Sequence, residues 1–466
     1  MEKIKIGFVP AHRTVFDEKW AVEMRKRTLK GLHEVEGLEL VYPDEKLTKR
    51  GLVSDEEDAE RTIQLFKEKD VSGIIIGTLT FGDEIAAIKV ADSLCDKPVL
   101  VFGTKEGPFT SEGGRRSDSF CGTLSLTSGL YRRNIPFVFA GIVFPEEKSF
   151  FRAVANFVRT CAIVKGFRGA RVGMVGPRPE GFETVAFNEV AMINQFKQRL
   201  IPISLVDILH SAEAVSEKDP AIKSIVQEIK AKADTSQIKE SSILKIAKLE
   251  YALEKYAREK KLDGMGVQCW TAMQEVYGIS SCVSMGRLTD KGIMTSCEVD
   301  IYGALTMLIQ YLSSLKTTPP HFIDWTIAHQ EEENTFLAWH CGNAPMSLLC
   351  EGCKITLRGH SILASVVGSE RAQGTAEFQL KPGPVTICRL AEGDRKFKIL
   401  ITKGKIQKSG QKLRGSWGWV KVDNLDALYG VLVEEGFIHH ASLIHGDYVK
   451  AIADSCKFLG IEPIVI

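Results

Sequence analysis

The feature that most constrains this fold lies in the first third of the chain, where short, unbroken apolar runs alternate with amphipathic stretches. I-K-I-G-F-V-P-A, L-E-L-V-Y, V-S-G-I-I-I-G-T, P-V-L-V-F-G and P-F-V-F-A-G-I-V-F show little polar alternation, so each reads as a strand buried on both faces. Between them, Glu18 to Val35, Asp55 to Lys69 and Ile85 to Ser93 read as helices. A parallel sheet covered by helices on both sides satisfies that pattern. In such sheets ligands gather at the carboxyl ends of the strands. Here those ends carry His12-Arg13, T-L-T-F-G-D, G-T-K-E-G-P and G-G-R-R-S-D-S. The last stretch reads equally well as a mobile surface loop.

A helix from Glu147 to Lys165 leads into a second α/β unit that opens with A-R-V-G-M-V-G-P. Its glycines do not fit G-x-G-x-x-G, and prolines stand where a helix should start, which argues against a nicotinamide or flavin site. The Lys/Glu-rich helices that follow carry mixed signs and read as solvated surface. From Thr317 the texture changes. T-T-P-P marks a linker, and beyond it short strands punctuated by Gly and Pro dominate, such as H-F-I-D-W-T-I, V-T-I-C-R-L and S-W-G-W-V-K-V. The expected architecture is α/β, with two doubly wound Rossmann- or flavodoxin-like domains over residues 1–168 and 169–318. An antiparallel β-barrel domain with a closing helix and strand is expected over residues 319–466.

Composition narrows the function class. At 466 residues and a net charge of +1, the chain holds several domains and shows no pull toward nucleic acid or a membrane surface. No apolar run approaches the roughly 20 residues that span a bilayer. The N-terminus runs directly into a strand without a signal-peptide pattern. Eleven cysteines scattered through apolar segments read as reduced thiols. A cytoplasmic location follows as the expectation.

Chemistry concentrates around C-E-V-D-I-Y-G (297–303), where an apolar strand gives way to a long apolar helix. Glu298 and Asp300 sit at the mouth of that strand and share a face if the strand continues. Asp300 also reads as the cap of the following helix. His340 in L-A-W-H-C-G-N-A-P and the His439-His440 pair lie in or beside apolar strands, where an imidazole needs a partner. With Glu275, Glu298 and Asp300 they make a mixed nitrogen and oxygen set suited to Mn²⁺, Co²⁺, Fe²⁺ or Zn²⁺ rather than Ca²⁺. A rival site is C-E-G-C (Cys350, Cys353), which with Cys341 and His360 could form a structural zinc knuckle. Cys297 itself reads as a buried thiol, not a nucleophile.

The order of two α/β units and a barrel, together with C-E-V-D-I-Y-G, A-W-H-C-G-N-A-P, H-H-A-S-L-I-H-G and G-T-K-E-G-P, resembles the L-fucose isomerase / L-arabinose isomerase superfamily over essentially the whole chain. The resemblance implies an aldose–ketose isomerase that uses a divalent metal, usually Mn²⁺, on a monosaccharide. It implies Glu275 and Asp300 as catalytic acids, with Glu298 the close alternative to Asp300. Glu275, Asp300, His340 and His440 are the implied metal ligands. The chemistry it implies is an enediolate proton transfer, with Glu275 moving the C–H proton and Asp300 the hydroxyl proton. Trp417, with Trp419, reads either as an apolar wall for the sugar or as core. By the same likeness the chain is a homo-oligomer, trimer or hexamer, in which His12, Arg13 and the G-G-R-R-S-D-S loop bind substrate in trans. Two other readings stand beside it: a sugar-binding protein without catalysis, and a metal-dependent sugar epimerase or lyase. The sugar itself is not legible.

Overall fold

The structure is a computed structural model that describes residues 1–393 and 396–466. The chain forms two compact units, one of Met1–Gly166 with Lys450–Gly460 and one of Phe167–Val449 with Ile461–Ile466. The central and C-terminal segments, expected as separate domains, therefore share one unit, and the helix Val449–Leu459 falls almost wholly to the first.

The first unit is built on β1 (Ile4–Ala11), β2 (Leu38–Val41), β3 (Ile74–Thr78), β4 (Val99–Thr104) and β5 (Val138–Val143). Their spatial order is β2-β1-β3-β4-β5, every pairing is parallel, and this is the flavodoxin-like order. β1, β3 and β4 are buried along nearly their whole length, as unbroken apolar runs require. Gly7 shows how closely one helix lies on this sheet. A methyl group there would stand 2.5 Å from the Phe66 ring of helix Glu56–Lys69.

The second unit opens with β6 (Arg171–Val175), β7 (Arg199–Ile203), the two-residue β8 (Ala233–Asp234), β9 (Gly264–Val267) and β10 (Met294–Ser296). β10-β9-β6-β7 form a four-stranded sheet that is parallel throughout. The remaining strands are β11 (His321–Ala328), β12 (Thr335–His340), β13 (Ile355–Gly359), β14 (Gln373–Gln379), β15 (Gly383–Gly393), β16 (Lys396–Ile406), β17 (Ser416–Val422), β18 (His440–His445) and β19 (Glu462–Val465). They do not make the freestanding antiparallel barrel that the sequence suggests. With β8 they form a ten-stranded mixed sheet, β19-β16-β15-β18-β11-β12-β17-β14-β13-β8. Six strands run antiparallel from β16 through β15, β18, β11 and β12 to β17, and a short β16–β17 ladder joins the two ends. Parallel pairings of β19 on β16, β14 on β17 and β8 on β13 then extend the sheet. Those additions come from distant parts of the chain, so alternation within each strand could not foretell them.

Helix Ile301–Ser313 joins the two sheets of this unit and is buried at every residue but Tyr311. A helix apolar on all sides belongs inside a core. Its few polar groups are all matched. Gln310 donates to the carbonyls of Thr386 and Ser442 at 3.1 and 2.9 Å and accepts from Ser442 Oγ. Thr306 Oγ1 accepts from Leu390 N. The helix start, where Asp300 stands, is thus fixed against β15 and β18. No helix among the described residues is long and apolar enough to cross a membrane.

Candidate metal and proton-transfer site

The strand carrying C-E-V-D does not continue through its acids. β10 stops at Ser296, and Glu298 and Val299 take left-handed φ values of 49° and 61°. That conformation is costly for a residue other than glycine, most of all for β-branched valine. Two neighbours hold it. Val299 N donates to Val267 O at 3.2 Å. Gly266 also lets the backbone in, since a methyl group there would meet the Val299 carbonyl carbon at 2.8 Å. The twist sends the two acids to different partners.

Asp300 is fully engaged. Its Oδ1 accepts from Gly303 N at 2.8 Å, the helix cap, and from Arg389 at 3.1 Å. Its Oδ2 accepts from the other Arg389 amino group at 2.5 Å and faces His440 Nδ1 at 2.9 Å. Four partners fill the lone pairs a carboxylate can offer. Burial alone would raise this acid, but the Arg389 guanidinium and His440 outweigh it and hold the carboxyl well below the usual range. Accepting from Nδ1 leaves the other imidazole nitrogen, Nε2, as the lone-pair donor, the arrangement that prepares a histidine for a metal.

Two acids face that nitrogen. Glu298 Oε2 lies 3.4 Å and Asp324 Oδ1 3.8 Å from His440 Nε2. Both oxygens are buried with no hydrogen-bond partner. Asp324 stands on β11 directly opposite His440 of β18 in the antiparallel register, so the two side chains are cross-strand neighbours. His439 adds a fourth group: ligand atoms of Asp324, His439 and His440 all lie within 4.8 Å of one another. Burial pushes Asp324 up to about 6, with His440 opposing. Glu298 is driven well above the carboxylate range by burial, then by the charges of Cys269, Asp324 and Asp300. Burial, then His440, lowers His439 to about 4. Two orphaned carboxylate oxygens and an imidazole freed by its second-shell acid fit a divalent transition ion.

Of the implied ligands Glu275, Asp300, His340 and His440, this cluster contains His440 alone. Glu275 is exposed on the π-helical turn Met273–Tyr277 and accepts from Thr271 Oγ1 at 2.8 Å. The structure does not place it in this cluster. Asp300 orients His440 rather than offering a free oxygen, and Glu298 offers one instead. His340 is buried beside Phe322, whose ring also contacts His440, and its Nδ1 accepts from Cys341 N at 2.9 Å. Burial, then His440, holds it well below its ordinary value. Cys350 and Cys353 do not gather with Cys341 and His360 into a ligand group among the described residues. Trp417 is 2 % exposed and packs with Leu337 and Trp419, as core, while its edge lines a cavity of about 520 Å³ with Lys412 and Arg414.

In the first unit, Arg13 is paired with Glu84 and lies over the Phe81 ring at 4.3 Å. His12 Nδ1 is 3.0 Å from Thr80 Oγ1, and its buried Nε2 has no partner. The G-G-R-R-S-D-S loop is tied down: Arg116 reaches Asp17 at 3.2 Å, and Glu106 accepts from Ser117 and from Ser119 N.

Comparison with known proteins supplies a family. Residues 7–168 match the fucose/sulfoquinovose isomerase N-terminal domain, and residues 338–466 match the L-fucose isomerase C-terminal domain. Proteins named sulfoquinovose isomerase from Priestia megaterium and Priestia aryabhattai are each 24% identical over 473 residues, covering 99% of this chain and of the relative. One of the same name from Alkalicoccus urumqiensis is 25% identical over 399 residues, covering 84% of this chain and 86% of its own length. Glu298, Asp300 and Asp324 lie between the two matched domains, in a stretch that the full-length Priestia alignments span. The chain belongs to the L-fucose isomerase family of aldose–ketose isomerases.

Proposed function

We propose that this enzyme interconverts an aldose and a ketose through an enediolate, at a divalent-cation site formed by Glu298 and His440, with Mn²⁺ the expected ion. The single observation that carries the reading is the convergence of two partnerless buried carboxylate oxygens on His440 Nε2. A cation bound there would supply charge stabilisation for the sugar oxygens as the enediolate forms.

The protein's own groups do the rest. Asp300 and Arg389 hold the His440 ring in one orientation. Asp324, fixed across the sheet from His440, is the carboxylate placed to take a proton from one carbon and return it to its neighbour. Glu298 stays with the cation. His439, exposed beside His440, completes the donor set on the open side. The names of the full-length relatives supply the substrate class: an aldose bearing a sulfonate, sulfoquinovose first among those to test. A homo-oligomer in which the His12–Arg13 corner serves a neighbouring subunit's sugar is part of the same reading, and sedimentation tests it.

The test is hydrogen–deuterium exchange at the carbon beside the carbonyl, in D₂O with Mn²⁺, using sulfoquinovose against glucose and fucose. Exchange is expected in wild type, lost after chelation and restored by Mn²⁺. Asp324→Asn should lose exchange and weaken Mn²⁺ binding without abolishing it, while Glu298→Gln should lose both. Absence of exchange with every sugar, or exchange untouched by chelation, would end the metal-dependent reading. An epimerase would instead exchange without forming ketose.

A further inference from the structure

Beside Glu298 lies a group of thiols that the isomerase chemistry leaves unused. Cys269 Sγ, Cys297 Sγ and a Glu298 carboxylate oxygen all lie within 4.8 Å of one another. Cys269 Sγ stands 3.9 Å from Glu298 Oε1 and accepts from Glu298 N at 3.4 Å. Asn343 Nδ2 donates to Cys297 Sγ at 3.3 Å. Cys282 and Cys341 are close enough to sense the charges of Cys269 and Glu298. All of these sulfurs belong to buried residues.

We propose that Cys269, Cys297 and Glu298 form a second cation site, built for a thiophilic d¹⁰ ion of the Zn²⁺ or Cd²⁺ class. The geometry is near what such an ion needs. Tetrahedral zinc with sulfur at about 2.3 Å and oxygen at about 2.0 Å sets its ligand atoms roughly 3.5–3.8 Å apart, a contraction of at most about 1.3 Å from the 4.8 Å that bounds the spacing here. Sulfur donors select soft ions and reject Mn²⁺, which keeps to nitrogen and oxygen. The amide of Asn343 fixes the Cys297 sulfur, as an outer-shell partner does for a ligand. Binding displaces both thiol protons to solvent. Because Glu298 belongs to both donor sets, a soft ion on the thiols draws that carboxylate from His440 and competes with Mn²⁺. Only this competition rests on the proposed isomerase site; the thiolate site stands without it.

The experiment is titration of the full-length, metal-free protein with Cd²⁺, following thiolate-to-cadmium charge-transfer absorbance and, by electron paramagnetic resonance, Mn²⁺ binding. One equivalent of Cd²⁺ should raise the absorbance and lower Mn²⁺ affinity by about tenfold or more. Cys269→Ser and Cys297→Ser should each lose the absorbance and keep Mn²⁺ binding, while Cys350→Ser/Cys353→Ser should keep both. Should the buried variants fail to fold, wild type alone decides, through alkylation mapping in mild denaturant, where the buried thiols become reactive, with and without Cd²⁺: Cys269 and Cys297 must be the protected thiols. No thiolate absorbance, or protection falling on Cys350 and Cys353 instead, overturns the site. Thiolate absorbance with unchanged Mn²⁺ binding would keep the site and refute the shared Glu298.

Discussion

Asp300→Asn tests the division of labour at the centre of the site. In wild type, Asp300 is 1 % and Arg389 2 % exposed, and the two side chains meet through two hydrogen bonds. Neutralising the acid leaves a buried guanidinium without its counter-charge, a change that costs about 3–5 kcal/mol. The helix cap is not the source of that loss, because an asparagine carbonyl still accepts from Gly303 N. The variant also weakens the grip on His440 Nδ1. Loss of such an outer-shell partner lowers metal affinity by about 10–100-fold, or roughly 1.4–2.7 kcal/mol. Urea unfolding of the metal-free protein reads the first effect, and Mn²⁺ titration the second. Adding Arg389→Met should restore part of the stability, since an apolar pair often replaces a buried ion pair without loss, and should not restore Mn²⁺ affinity. The reasoning fails if Asp300→Asn costs less than about 1 kcal/mol. It fails equally if the variant retains its stability and abolishes Mn²⁺ binding outright, for then Asp300 is itself a ligand.

Three further outcomes follow from particular contacts. Glu275→Gln should keep sugar exchange within about twofold of wild type, because its carboxylate meets only Thr271 among its hydrogen bonds; loss of exchange comparable to Glu298→Gln would return Glu275 to the mechanism. Gly266→Ala should destabilise by about 1–3 kcal/mol and weaken Mn²⁺ binding, since the new methyl group meets Val299 backbone at 2.8 and 2.9 Å, which cannot swing aside; unchanged unfolding curves would show that the Glu298–Val299 twist has room to spare. His321, buried with its Nδ1 unpartnered, is lowered by burial to about 3. The unfolded chain binds a proton there near pH 6.5 and the folded chain does not, so stability is full above that value and falls as pH drops toward 3. Between pH 7 and pH 5 this group alone costs about 2 kcal/mol; His321→Asn should remove that much of the acid sensitivity in urea unfolding, and an unaltered pH slope would refute it.

Much of the architecture was legible because unbroken apolar strands leave few options. The five strands of the first unit and the start of the second were placed by pattern alone, and so was the buried helix after Asp300. The extension of the antiparallel strands into a ten-stranded mixed sheet was not, because strand patterns do not encode the parallel pairings of β8, β14 and β19. At the site, the sequence carries two single-residue signals. Asp324 interrupts H-F-I-D-W-T-I and Arg389 interrupts V-T-I-C-R-L, each a charge in an otherwise apolar strand. A buried charge needs a partner, and the structure pairs Arg389 with Asp300 and sets Asp324 opposite His440. Glu275, which the resemblance implies as the first acid, stands instead on a turn with an open face, where nothing buries its carboxylate.

The exchange of Asp300 for Glu298 as the offered oxygen comes from backbone geometry that no residue pattern encodes. Had β10 run on as a strand, Glu298 and Asp300 would have shared one face and met the same partners. Two successive left-handed residues break that alternation. One acid turns to the helix start and Arg389, where four donors hold its charge and fix the His440 ring. The other turns its Oε2 to the far nitrogen of the same ring, where that oxygen finds no donor. The folded chain keeps Glu298 Oε2 and Asp324 Oδ1 buried and partnerless at a cost of about 1–3 kcal/mol for each such group. On the proposed reading, a cation held by Glu298 and His440 would give the first of these oxygens its partner, and the fully bonded Asp300 would hold the ring that such an ion needs.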